Sequence, residues 1–143
     1  MAQEKSDLFK SARQRGEQYV QAEWTRQENL TVDDAANMSS STAKSIIQRR
    51  EVGEIYALAR PDSEECRYPA WQFRANPFRL AAVLRPLIKA KTNSWVIHNF
   101  MLRPSTILGG QTPAEFIGED FRPIDAAVTA AKLSIRGEEQ GAL

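Results

Sequence analysis

The chain has 143 residues, 42% of them hydrophobic and 26% charged, the balance of a folded globular protein and not of a disordered one. The net charge is only +1, so any polyanionic partner must be met by local charge, not by the bulk of the molecule. One cysteine, Cys66, excludes an internal disulfide and zinc-finger spacing, and one histidine, His98, excludes multi-histidine metal centres. No metal or cofactor is implied.

Met1–Ser6 leads into polar sequence with no apolar signal core. The longest apolar run, Trp95–Leu102, is broken by His98 and Asn99 and falls far short of the roughly 20 residues of a membrane span. A soluble cytoplasmic protein follows as the default, made of one ordinary domain or two small ones sharing a core. Charge is unevenly placed. No acid occurs between Glu65 and Glu115, where Arg67, Arg74, Arg79, Arg85, Lys89, Lys91 and Arg103 all fall. That segregation suits a protein that meets a polyanion with its middle, and equally a solvated face whose acids are supplied by the fold.

In chain order, Ser6–Glu28 reads as an amphipathic helix with an apolar stripe of Leu8, Phe9, Ala12, Tyr19, Val20 and Trp24, weakened at its middle by Gly16. It is an arm that packs on its own chain or on a second copy. Leu30 then precedes Thr31-Val32-Asp33-Asp34-Ala35-Ala36, a helix start with a capping threonine and two acids in the first turn. Ser39-Ser40-Ser41-Thr42 stops that helix and caps another, Thr42–Glu51. Its Ile46 and Ile47 are the buried side, and Lys44, Ser45, Gln48, Arg49 and Arg50 the polar, cationic side. Two short helices with such a face form either a helix-turn-helix that enters the major groove or an ordinary helical hairpin. A Gly-terminated helix end at Val52-Gly53 leads to a strand through Ala59. Turn residues Arg60–Glu65 and a returning strand, Cys66–Pro69, complete a hairpin with Arg60 and Arg67 on its flanks.

The stretch Leu30–Phe73 resembles the excisionase and MerR-like helix-turn-helix families. The likeness rests on the Leu-Thr-x-x-x-Ala-Ala start, the Ser/Thr-rich second helix, the Gly-Glu-Ile step and a hairpin ending on an aromatic. The turn holds Ser39-Ser40-Ser41 where those families usually hold a glycine. The resemblance implies a winged helix-turn-helix whose base and phosphate contacts fall on Ser41, Thr42, Lys44, Ser45, Gln48 and Arg49. Arg50 braces phosphate beside Lys44, and Arg60 or Arg67 adds the wing's contact.

Beyond Asn76-Pro77, Leu80, Val83, Leu84, Leu87 and Ile88 mark a helix in which Pro86 predicts a kink or restart. Ser94–Leu102 reads as a helix too apolar all round to lie at the surface. Pro104 ends it. Thr112-Pro113-Ala114-Glu115 is a capping-box helix start after the Gly109-Gly110 turn, and Ile124, Ala127, Val128, Ala131 and Ile135 form a last stripe before a mobile tail from Arg136 to Leu143. Trp95, the Pro104 stop, Leu108-Gly109-Gly110 and Thr112-Pro113-Ala114-Glu115-Phe116-Ile117 resemble the toxin-binding domain of antitoxins of the Xre/MbcA/ParS type. That resemblance implies a protein-binding or dimerisation surface around Trp95, Leu108, Gly109, Thr112, Pro113 and Phe116, and a RES-type toxin as partner. The chain departs from that family in carrying a winged reader in place of a five-helix one.

The predicted fold is mainly α with a small β-hairpin wing: an arm over residues 1–28, a winged helix-turn-helix over 29–75 and a helical bundle over 76–143. The predicted function is that of a dimeric DNA-binding transcriptional regulator, a nucleoid-associated cytoplasmic protein and not an enzyme. The alternatives are an antitoxin and a plasmid- or phage-maintenance factor. His98 reads as a packing residue and not as a general base. Cys66 lacks an accompanying base.

Overall fold

A computed structural model describes residues 2–60 and 62–137, with side chains from residue 7 onward. Met1, the contribution of Pro61 to the hairpin turn, and the tail 138–143 lie outside the described residues. The architecture is mainly helical with a small antiparallel sheet. Helix α1 covers Ala2–Trp24, strand β1 Asn29–Leu30, α2 Val32–Met38, α3 Ala43–Glu51, β2 Leu58–Ala59 and β3 Cys66–Pro69. A 3-10 turn, Ala70–Phe73, then leads to α4 Pro77–Lys89, α5 Ser94–Leu102, α6 Pro113–Ile117 and α7 Asp125–Arg136.

Helix α1 ends at Trp24 instead of Glu28, because Asn29 folds back and its Nδ2 donates to the Glu23 carbonyl at 2.6 Å, satisfying an acceptor of the last turn. This return also makes Asn29–Leu30 a third strand, absent from the sequence reading. The order is β1-β3-β2, with Leu30 opposite Tyr68 and Leu58 opposite Arg67. Two residues carry no readable alternation, which is why periodicity misses such a strand.

Helix α2 is capped by Thr31, whose hydroxyl accepts from Asp34 N at 3.1 Å, and α3 by Thr42, accepting from Ser45 N at 3.1 Å. Ala35 and Ala36 are buried, and their small side chains let the two helices cross closely. In the turn between them Ser40 takes φ +53°, the left-handed conformation for which glycine is the usual choice. Ser39 steadies the turn, donating to the Ala35 carbonyl at 2.8 Å. Gly53, at φ +80°, ends α3.

Helix α4 runs without a restart through Pro86. Proline removes one backbone bond, to the carbonyl of half-exposed Ala82, while Val83, Leu84 and Leu87 on the opposite side are buried. Burial of three large side chains, at about 1.5–3 kcal/mol each, outweighs that single bond. Helix α7 packs on α4 with the small face Ala127, Ala130 and Ala131, and Gly137 at φ +74° closes it. Helix α5 is not buried all round. Ile97, His98 and Met101 face inward, whereas Val96 is 50% and Leu102 43% exposed.

One hydrophobic core runs from Trp24 and Ile46 through Leu58, Tyr68 and Leu84 to Phe116 and Ala131. The boundary expected at residue 75 therefore divides the chain in sequence but leaves no gap in the core. No helix among the described residues is long and apolar enough to cross a membrane.

Candidate nucleic-acid interface

The face of α3 turned away from the core carries Lys44, Gln48 and Glu51, and Ile47, expected on the buried side, is 38% exposed beside them because it lies about 100° round the helix from Ile46. Ile46, fully buried, fixes which way that face points, because side chains one position on and two positions back lie on the far side of the helix. Ser41 and Thr42 sit exposed at the N-terminal end, Ser41 sharing a hydroxyl contact of 2.9 Å with Ser39. Ser45 is half-buried. Lys44 and Gln48 carry donors on one exposed turn and hold no side-chain partner among the described residues. They present an ammonium and an amide to whatever approaches.

The four arginines assigned to the same surface are held differently. Arg49 lies over the Phe73 ring, 5.8 Å from its centroid, and pairs with Glu54 at 3.5 Å. Arg50 donates from Nη1 to the Cys66 sulfur at 3.0 Å, tying α3 to β3. Arg60 and Arg67 both stack on Trp24, at 5.3 Å and 4.2 Å. Arg60 also pairs with Asp62 at 3.1 Å, and Arg67 Nη1 donates to the Asn29 carbonyl at 3.5 Å. Cation–π contact of Arg60 and Arg67 thus anchors the hairpin to α1, and the Arg50 hydrogen bond anchors it to α3. Each must give up an internal contact before it reaches an outside phosphate.

Gln72, Tyr56 and Glu23, which the sequence reading did not single out, hold this surface in place together with His98, read there as a packing residue. Gln72, buried, accepts from Tyr56 N at 2.8 Å and donates to the Tyr56 carbonyl at 2.9 Å, serving the segment after α3 as a strand partner would. Behind it runs a buried polar chain. Trp71 Nε1 donates to the Tyr56 hydroxyl at 3.3 Å, Tyr56 meets His98 Nδ1 at 2.8 Å, and His98 Nε2 meets Glu23 at 2.8 Å. With Tyr56 donating to Nδ1 and Nε2–H donating to the carboxylate, every donor finds an acceptor. Burial pushes the Tyr56 phenol up. Burial also works to raise Glu23, but hydrogen bonds from His98 and Arg26, with the Arg26 charge, hold the carboxyl below its ordinary value. The signal available in sequence was polar residues at otherwise apolar positions, which names no partners.

In the second half, Leu108, Pro113 and Phe116 are buried, so they shape the surface from beneath and present none of themselves. Thr112 completes its capping box with Glu115. Trp95 donates to the Ala59 carbonyl at 3.0 Å, joining α5 to β2, and Gly109, at φ +68°, is exposed in its turn. The organising group here is Arg79. Its guanidinium donates to the carbonyls of Ile117, Phe116 and Glu119 at 2.8, 2.9 and 3.0 Å and also to that of Arg122. One arginine thus closes the end of α6 and holds the loop before α7.

No family model matches this sequence, and no curated protein or solved structure matches it either.

Proposed function

We propose that the protein is a sequence-specific DNA-binding transcriptional regulator that works as a homodimer, with α2 and α3 as its helix-turn-helix and β2–β3 as its wing. The observation that carries this reading is the outward turn of α3, where Lys44 and Gln48 stand unpartnered behind a capped, exposed N-terminal end bearing Ser41 and Thr42. A glutamine amide pairs with adenine through its N6 and N7 edge, and an ammonium holds phosphate. Ser40 in the left-handed conformation supports the reading, since it gives the turn the backbone that the resembling families obtain from glycine. Arg49, Arg50, Arg60 and Arg67 then act first as struts, and reach the backbone by exchanging an internal contact for a phosphate.

Fluorescence anisotropy of the purified chain against its own promoter and a scrambled duplex, at two salt concentrations, tests this. Tighter promoter binding that weakens steeply with salt is the expected result. Equal binding to both duplexes means an architectural or maintenance factor, and binding to neither removes the proposal.

A second reading, an antitoxin whose C-terminal half grips a RES-type toxin, is favoured by two aromatics left on the surface beside the Arg79 hub. Phe78 is 85% and Phe121 83% exposed, an arrangement that suits a protein partner. Co-expression with such a toxin and recovery of a complex that Phe121→Asp abolishes is the corresponding test.

A further inference from the structure

Helix α1 stands clear of the rest of the chain over all but its last turns. Every described side chain from Asp7 to Tyr19 is exposed, with Leu8 at 70% and Phe9 at 71%. Val20, Glu23 and Trp24 turn into the fold, and the Tyr19 hydroxyl donates to Asn99 Oδ1 at 3.3 Å. Leu8, Phe9, Ala12, Gly16, Tyr19 and Val20 recur at helical spacing and form one continuous stripe. In proteins most helical stability comes from packing of an amphipathic face, and over these turns nothing in the chain packs on it. Gly16 deepens the problem: a side chain there would meet nothing within 4 Å and its φ is not positive, so no contact within the chain accounts for a residue that weakens a helix relative to alanine.

We infer that a second copy of α1 covers this stripe, packed antiparallel. In that direction Leu8 and Phe9 of one copy come opposite the half-exposed Val20 and the exposed Tyr19 of the other, and Ala12 comes opposite Gly16. Two small residues at the crossing let the axes approach to about 8 Å, which explains the glycine. Charge agrees. Arg13 and Glu17 lie one turn apart on the same edge of the stripe, both exposed and neither ion-paired within its own chain among the described residues. In an antiparallel pair that edge meets itself, so each Arg13 lies beside the Glu17 of the other copy. At its end the stripe runs into a cavity of about 430 Å³ where Tyr19 and Glu23 meet Asn99, Leu102 and Arg103, and Leu8 of the second copy reaches its mouth. The contact is isologous, a two-fold dimer. It does not depend on DNA binding, and it assigns the dimer to the arm instead of the C-terminal helices.

Sedimentation equilibrium on the full chain tests it. The wild type is expected to be a dimer, and Gly16→Leu, which favours the helix and leaves the fold intact, is expected to weaken dimerisation at least about 100-fold by blocking the crossing. Glu17→Arg should weaken it as well, and Arg13→Glu with Glu17→Arg should restore it. On a Cys66→Ser background, Phe9→Cys combined with Tyr19→Cys should cross-link copies on mild oxidation, whereas Phe9→Cys alone should not. A monomeric wild type, a Gly16→Leu dimer of unchanged affinity, or cross-linking through Phe9→Cys alone overturns the inference.

Discussion

Gln72 holds both backbone polar groups of Tyr56, accepting its N–H at 2.8 Å and donating to its carbonyl at 2.9 Å. Gln72 is 1% and Tyr56 3% exposed, so water cannot replace either bond. Gln72→Leu keeps the volume and strands a buried donor and a buried acceptor, a loss of about 2–4 kcal/mol. Urea unfolding should show a lower midpoint with an unchanged slope. Because Tyr56 lies between α3 and β2, an unchanged midpoint would mean that this segment is positioned by its apolar neighbours alone.

Ser40 gives the opposite sign. Its φ of +53° places a non-glycine residue where the left-handed backbone costs about 1 kcal/mol, and its side chain is exposed. Ser40→Gly should therefore stabilise the protein by roughly 0.5–1 kcal/mol and raise the melting temperature by about 3 °C in calorimetry. A fall in melting temperature would show that the hydroxyl holds the turn.

The Glu23 carboxyl is held below its ordinary value of 4.5, where burial opposes and the hydrogen bonds from His98 and Arg26 prevail. A carboxyl whose folded value is depressed stabilises the fold fully above its unfolded value and loses that contribution as pH falls through the folded one. Stability should thus decline as the pH drops below about 4.5. Glu119, lowered by hydrogen bonds from Gln111 and Arg122, titrates in the same direction. Glu23→Gln keeps an acceptor for His98 and removes the charge. It should cost about 1–2 kcal/mol at pH 7 and flatten the acid limb of a stability–pH curve without abolishing it. An acid limb identical to the wild type's would assign the pH dependence to other carboxyls.

The elements legible in the sequence are those fixed by local chemistry. Thr31, Thr42 and Thr112 each announce a helix start by a side chain that caps its own backbone, and all three do so in the structure. What local pattern does not contain is the partner across the chain. Arg67 lies in an acid-free run and reads as a cation free for phosphate, yet Trp24, far off in sequence, lies 4.2 Å from its guanidinium. Arg79 stands in the same run and is consumed by carbonyls of residues 116–122. Pro86 misleads for a related reason, since the burial that keeps α4 continuous comes from packing against α7. Of the candidate interface, the exposed pair Lys44 and Gln48 was readable from helical spacing. The internal commitments of the four arginines were not.

That division between free and committed side chains makes a graded prediction for DNA binding. Gln48→Ala removes an amide from the outward face of α3 and leaves no buried group unpaired, so stability should hold while discrimination between operator and a singly substituted operator falls by roughly 1–3 kcal/mol. Lys44→Ala removes a charge and no base contact. It should weaken operator and scrambled duplex alike, and reduce the slope of log affinity against log salt by about 0.9. Arg67→Ala should differ from both, because it first uncovers Trp24 and lowers the unfolding midpoint along with affinity. Anisotropy titrations at several salt concentrations, paired with urea unfolding of each variant, separate the three. If Gln48→Ala and Lys44→Ala both bind like the wild type while Arg67→Ala loses DNA without losing stability, the hairpin and not α3 is the reading element.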